Sequence, residues 1–195
     1  MLLLVLATRN AHKVRELEPL LAPHTLEPLP DEVELPPETG ETFAENALGK
    51  ARAAAAATGR PAVADDSGIA AEALGGVPGV RSARYAGEDA TDEENLAKLL
   101  REAPAGSGLA YVCALALVEP DGTETVVEGR CEGTLARHPR GTGGFGYDPA
   151  FVPVEHGSDG IGSTMAELAP HEKDAISHRG RAARALLDRL SSRSG

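Results

Sequence analysis

Residues 61–68 read Pro-Ala-Val-Ala-Asp-Asp-Ser-Gly, a short apolar run that predicts a buried strand ending abruptly in two adjacent carboxylates. Successive side chains on a strand point to opposite faces, so Asp65 and Asp66 cannot both face the same way. Burying a charge without a partner is costly. The acidic tip is therefore expected at the end of a sheet, where ligands bind in open α/β folds. A divalent cation is a natural partner for such a tip. The alternative is a turn capped by Asp65, Asp66 and Ser67 ahead of Gly68.

The segments around this strand carry cations and glycines. Gly75-Gly76-Val77-Pro78-Gly79-Val80, followed by Arg81-Ser82-Ala83-Arg84, suits an anion. Glycine lets backbone N–H groups come close to phosphate oxygens, and arginine adds a planar fork of donors. The other reading is a tight turn with surface arginines. Upstream, Leu2 to Leu6 predicts a buried strand, Ala7-Thr8-Arg9-Asn10 a turn, and Ala11 to Leu21 a helix with Val14, Leu17 and Leu21 on one face. Thr8, Asn10 and Lys13 then surround a helix N-terminus, where amide donors and the helix dipole favour a phosphate or carboxylate. Capping by Thr8 or Asn10 is the simpler reading, but it leaves Arg9 and Lys13 unexplained.

The 195 residues carry a formal net charge of −11, which weighs against nucleic acid as a partner because such binding rests on a basic surface. No apolar run reaches the roughly 18 residues of a membrane span. Met1 to Ala7 is short and lacks a basic start, so no signal peptide is expected and the cytoplasm is the default. Cys113 and Cys131 flank a predicted hairpin and are expected to be free packing thiols. The chain has no Gln, three Asn, and four Lys against fifteen Arg. This scarcity singles out Asn10, Asn46, Lys13, Lys50 and Lys173, which all fall in motif-like segments. Asn95 and Lys98 read as helix-surface residues.

Phe43 to Thr58 predicts a strong helix closed by Gly59, with Asn46 and Lys50 on one face. Residues 22–37, rich in proline and acids, predict a connecting segment with a short edge strand. Thr91-Asp92-Glu93-Glu94 opens a helix to about Arg101. Leu109 to Glu119 and Thr123 to Leu135 form strands around the turn Pro120-Asp121-Gly122. Gly141-Thr142-Gly143-Gly144-Phe145-Gly146-Tyr147-Asp148-Pro149 places two of the six Phe and Tyr residues in a glycine-rich loop. There a ring could stack on a base while loop amides read its edge, a mode worth about 1–3 kcal/mol per base. Packing of Phe145 or Tyr147 is the other reading. Thr164 caps a short helix, and Lys173 to Leu190 predicts a final one, with Ser177-His178-Arg179 near its start.

Taken in order, these segments resemble the inosine triphosphate pyrophosphatase family, across nearly the whole chain. The resemblance rests on Thr8-x-Asn10-x-x-Lys13, Glu38-Thr39-Gly40 with Thr42-Phe43-x-x-Asn46-Ala47-x-x-Lys50-Ala51, Asp65-Asp66-Ser67-Gly68, the 75–84 loop, Phe145-Gly146-Tyr147-Asp148, and Ser177-His178-Arg179. It implies a single α/β domain over residues 1–195, with an elongated mixed central sheet flanked by helices and two lobes around a cleft. It also implies a homodimer, with neither nucleic acid nor membrane as a partner. The implied activity is Mg²⁺-dependent hydrolysis of ITP, dITP or XTP to the nucleoside monophosphate and pyrophosphate, clearing these nucleotides from the pool.

The resemblance makes Asp66 the catalytic base and a metal ligand, with Glu38 as a second metal ligand. Substrate contacts fall on Thr8, Arg9, Asn10, Ala11, His12 and Lys13, with Ser67 alongside, for the phosphates. Phe145, Gly146, Tyr147, Asp148, Lys173, His178 and Arg179 fall to the base and sugar. Residues 153–163 are longer than the family's usual link, and read either as a plain surface loop or as a change in the lid over the base that bears on substrate preference. No Gly-x-x-x-x-Gly-Lys-Ser/Thr pattern supports a P-loop NTPase. Two rivals remain: a septum-inhibitor-like nucleotide pyrophosphatase and a non-catalytic nucleotide sensor. Asp66, Lys13 and Glu38 argue against the sensor, which needs no catalytic carboxylate.

Overall fold

A computed structural model describes residues 1–192. Its six-stranded sheet has the order β2-β1-β3-β4-β5-β6, formed by β1 (Leu3–Leu6), β2 (Thr25–Pro28), β3 (Ala62–Ala71), β4 (Gly108–Val118), β5 (Glu124–Leu135) and β6 (Phe151–Pro153). The α-helices are α1 (Ala11–Leu20), α2 (Phe43–Thr58), α3 (Asp92–Glu102), α4 (Pro170–Ile176) and α5 (His178–Ser192). β1 runs parallel to β2 and β3, whereas β6 runs antiparallel to β5, so the sheet is mixed, as expected for an α/β fold. The short edge strand expected within residues 22–37 is β2. No helix among the described residues is long and apolar enough to cross a membrane.

The chain forms two compact units. Among the described residues, the first comprises 1–66, 113–129 and 178–192. Its core lies on both faces of its strands. Val63 of β3 and Cys113, Leu115 and Leu117 of β4 pack with Leu17 of α1 and Ala182 and Leu186 of α5. Ala62, Ala64, Ala114 and Ala116 turn the other way and pack on Ala47, Ala51, Ala54 and Ala55 of α2. This is the period-two alternation of strands, and the small side chains on the α2 face let that helix lie close to the sheet. Thr42 opens α2 with a reciprocal capping box to Glu45, and Gly59 closes it in the left-handed conformation (φ 64°).

The second unit comprises residues 67–112 and 130–177. Its core gathers Ile69, Leu99, Leu109, Tyr111, Leu135, Phe151 and Met165, all buried. Thr91 caps α3 as expected. Residues 157–162, within the segment read either as a surface loop or as part of a lid, form a two-stranded hairpin, β7 (Gly157–Ser158) with β8 (Ile161–Gly162). It is tied down by Gly160 N, which donates to Thr134 Oγ1 at 3.0 Å.

Three expectations need correction. The strand through Asp65 and Asp66 does not end at the acids but continues to Ala71. Ile69 and Ala71 extend its buried face, and cations neutralise the first acid within the sheet. The last helix is two helices, because Ser177 takes an extended conformation (φ −63°, ψ 155°) between α4 and α5. Asn95 is buried, not a surface residue. Its Oδ1 accepts from Ala86 N at 2.8 Å and its Nδ2 donates to Ala83 O at 3.0 Å, so it ties α3 to the preceding turn. Cys113 and Cys131 are buried free thiols, as expected, and burial pushes the Cys113 thiol far up from its ordinary pKa.

Candidate active site

In the first unit the two acids of β3 are treated in opposite ways. Asp65 faces α1 and α5 and is fully buried. Lys13 Nζ lies 3.0 Å from its Oδ1, and Arg179 Nε donates to its Oδ2 at 3.1 Å. Arg179 in turn donates through Nη1 to Glu16 Oε2 at 2.8 Å. Burial alone would raise the pKa of Asp65, but Lys13, Arg179 and Lys50 outweigh it and hold the carboxyl well below the usual range. Asp65 is thus a fixed anion caged by cations.

Asp66 faces α2. Asn46 Nδ2 donates to its Oδ2 at 2.9 Å, and Lys50 Nζ stands 3.9 Å from its Oδ1. The same Lys50 Nζ lies 2.5 Å from Glu38 Oε1. Burial raises the pKa of Asp66 above its ordinary value, opposed by Lys50 and reinforced by Glu38. A carboxylate whose proton affinity is raised in this way is suited to accept a proton. The spacing on α2 explains the geometry: residues 46 and 50 are one helical turn apart and project from one face.

Glu38 and Asp66 share one ammonium, which leaves a site rich in hard oxygen donors. Among the described residues no group of three or more His, Cys, Asp and Glu is placed to hold a metal ion. Two carboxylates nevertheless fit Mg²⁺, which is commonly held by one or two carboxylates together with waters and substrate phosphates. A cage of four or more side chains is not required.

The start of α1, expected to meet phosphates, has its first-turn amides capped by Asn10. Asn10 Oδ1 accepts from His12 N at 2.9 Å and Lys13 N at 3.3 Å, and Thr8 Oγ1 accepts from Asn10 N at 3.2 Å. Arg9 points elsewhere. Its guanidinium donates to the carbonyls of Leu29 (2.7 Å), Pro30 (2.6 Å) and Val33 (3.1 Å), so it shapes the loop after β2. Ala11 and His12 are exposed on the first turn.

The second unit carries the aromatic loop. Asp148 is buried, and three donors converge on it: Lys173 Nζ (2.7 Å) and Phe145 N (3.0 Å) on Oδ2, and Tyr111 Oη (3.0 Å) on Oδ1. Phe145 is half-buried with Lys173 Nζ 5.7 Å from its ring centroid. Gly144 (φ 70°) must be glycine here, because a Cβ would run into the Asp148 carboxylate and meet Lys173 Nζ at 3.0 Å. Gly146 N donates to Asp92 Oδ2 at 3.0 Å. Tyr147 is a packing residue, its hydroxyl donating to Ser82 O at 2.7 Å. Ser82 also braces β3, its Oγ accepting from Ile69 N at 2.8 Å, so this part of the 75–84 loop holds the strand.

The expected site residues therefore fall into two sets. Asp66 and Glu38 come together on Lys50, and Lys13 joins Arg179 on Asp65. Phe145, Gly146, Asp148 and Lys173 come together in the second unit. Arg179, expected beside Lys173, is engaged by Asp65 and Glu16 in the first unit, and His178 is buried beside it at the start of α5. Ser67 is half-buried in β3 next to Asp66. Asn46, Lys50, Tyr111 and Glu16 were not among the expected site residues. The rarity of Asn and Lys flagged Asn46 and Lys50, whereas nothing in the sequence singles out Tyr111 within its strand or Glu16 among the other acids.

Comparison with known proteins gives a coherent result. The Ham1 family model matches residues 4–189. A dITP/XTP pyrophosphatase of Streptomyces coelicolor is 52% identical over 194 residues, covering 94% of each chain. Among solved structures, a HAM1 protein from Coxiella burnetii matches with a TM-score of 0.85 at 43% identity, covering 98% of this chain and 100% of that one. A nucleoside-triphosphatase / dITP/XTP pyrophosphatase from Mycobacterium abscessus matches with a TM-score of 0.73 at 49% identity, covering 95% and 98%. The chain belongs to the Ham1 family. This bears out the resemblance drawn from its motifs.

Proposed function

We propose that this chain hydrolyses the non-canonical purine nucleoside triphosphates ITP, dITP and XTP to the nucleoside monophosphate and pyrophosphate, with Mg²⁺ as cofactor. The observation that carries this reading is the contrast between neighbouring acids: Asp65 locked as an anion between Lys13 and Arg179, and Asp66 with raised proton affinity beside Glu38. The similarity to dITP/XTP pyrophosphatases supports the same activity.

Glu38 and Asp66 are the residues that would hold the metal, which when bound screens phosphate charge and eases deprotonation of water. Asp66 orients the attacking water and takes its proton as it strikes the α-phosphorus. Lys13, Lys50 and the first turn of α1 hold the phosphates, with Ser67 alongside, so that the leaving pyrophosphate lies in line with the water. Phe145 stacks on the purine. Lys173, steadied by Asp148, presents a donor to position 6, where hypoxanthine and xanthine carry an oxygen and adenine an amino group. A donor left facing an amino group costs about 1–3 kcal/mol, or tenfold and more in selectivity. A homodimer working in the cytoplasm on small-molecule nucleotides, without nucleic acid or membrane, completes the reading.

The test is product identification with ITP, dITP, XTP, ATP and TTP in the presence of Mg²⁺. Pyrophosphate from ITP, with kcat/KM well above that for ATP, is expected. Orthophosphate as the first product, or tight binding without turnover, overturns the proposal.

A further inference from the structure

Asn46 makes two hydrogen bonds of opposite polarity. Its Oδ1 accepts from Gly40 N at 2.8 Å, and its Nδ2 donates to Asp66 Oδ2 at 2.9 Å. The residue is 5% exposed. Flipping the amide would set NH₂ against N–H and an oxygen against a carboxylate, so the orientation is fixed by both neighbours. Gly40 follows Glu38 by two residues, and it lies so close to α2 that a Cβ would stand 2.7 Å from Asn46 Oδ1 and 2.8 Å from Glu45 Cβ. The backbone behind Glu38 is thus seated directly on the helix by Asn46. One turn along, Lys50 engages the Glu38 carboxylate itself. A single amide therefore ties down both the strand acid and the loop that carries the second acid.

We infer that Asn46 is a positioning residue that sets the separation of Glu38 and Asp66 for a divalent cation. This rests on the proposed function only in taking those two carboxylates as the metal pair. Alanine at this position releases both ends at once: the 38–40 loop loses its anchor and Asp66 loses the donor that fixes its plane. Groups that orient metal-binding carboxylates typically contribute about 10- to 100-fold to metal affinity or activity.

The test compares the wild type with Asn46→Ala, and with Asn46→Ser in case the alanine variant does not fold. Mn²⁺ serves as the probe, its binding measured by calorimetry without nucleotide, alongside thermal unfolding and kcat and KM for ITP. The expected result is a folded variant with Mn²⁺ affinity down about tenfold or more and kcat reduced, while KM for ITP stays within about threefold. A variant that is less stable but binds Mn²⁺ within about twofold of wild type overturns the inference. So does a wild type that cleaves ITP to pyrophosphate yet binds no Mn²⁺, although the proposed function then stands. A wild type that yields no pyrophosphate from ITP while the variants still lose Mn²⁺ affinity supports the Asn46 inference and overturns the function.

Discussion

Arg179 Nε donates to Asp65 Oδ2 at 3.1 Å, and both side chains are almost wholly removed from water. Removing one partner of such a pair leaves an uncompensated buried charge, at a cost of about 3–5 kcal/mol. Asp65→Asn takes the carboxylate from Lys13 and leaves Arg179 with Glu16 alone, so urea unfolding should show a loss toward the lower end of that range. A loss below about 1 kcal/mol would mean the pair is solvated in the native state.

The same residue fixes how stability responds to acid. The pKa of Asp65 is lowered in the fold from an ordinary value of 3.8, so the native state keeps this carboxylate ionised where the unfolded chain protonates it. Its contribution is fully present above about pH 4 and disappears as pH falls toward the lowered value. Unfolding free energy should therefore decline with acid below about pH 4. The decline should be shallower in Asp65→Asn, as measured by chemical denaturation from pH 6 downward.

Asp66→Asn should fold, because Lys50 keeps Glu38 as a partner at 2.5 Å. Turnover of ITP should fall by at least about 100-fold, the low end of what a general base contributes. Circular dichroism should remain that of the wild type. A variant retaining a tenth of the activity would move the proton acceptor elsewhere.

Tyr111→Phe removes one hydroxyl and leaves the ring in place against Phe151, 4.5 Å away between centroids. Asp148 loses a donor in a buried setting, at a cost of about 1–3 kcal/mol. The (kcat/KM) ratio of ITP to ATP should narrow, since Lys173 is steadied through Asp148. An unchanged ratio would confine Tyr111 to packing.

Gly129→Ala probes how Arg179 is delivered. A Cβ at this position on β5 would collide with His178 O and Ala182 N, at the start of α5. Overpacking of this kind costs about 1–3 kcal/mol. The expected outcome is a lowered Tm together with reduced activity, as the helix start and Arg179 are pushed off Asp65.

Much of the fold is legible locally. α2 begins and ends where its capping box and Gly59 place it, and the turn Pro120-Asp121-Gly122 lies between β4 and β5. The alternation of Asp65 and Asp66 follows from strand geometry alone. What the sequence hides is long-range pairing. That Arg179 would reach Asp65, 114 residues away, or that Tyr111 would reach Asp148, depends on which strands are neighbours. The break at Ser177 carries no Gly or Pro to mark it, so one helix was the natural expectation. Asn95 illustrates the opposite case: its chemistry was visible, but its burial came from the turn it holds.

Because adjacent positions on β3 face opposite ways, the division of labour between the two acids depends on counting. Losing or gaining one residue in the strand ahead of them would turn Asp66 into the Lys13 and Arg179 cage and offer Asp65 to α2. Conservative replacements can be absorbed around this strand, but a change in its length cannot. Variation that shortens or lengthens the protein should therefore accumulate in segments such as the 157–162 hairpin and leave β3 untouched.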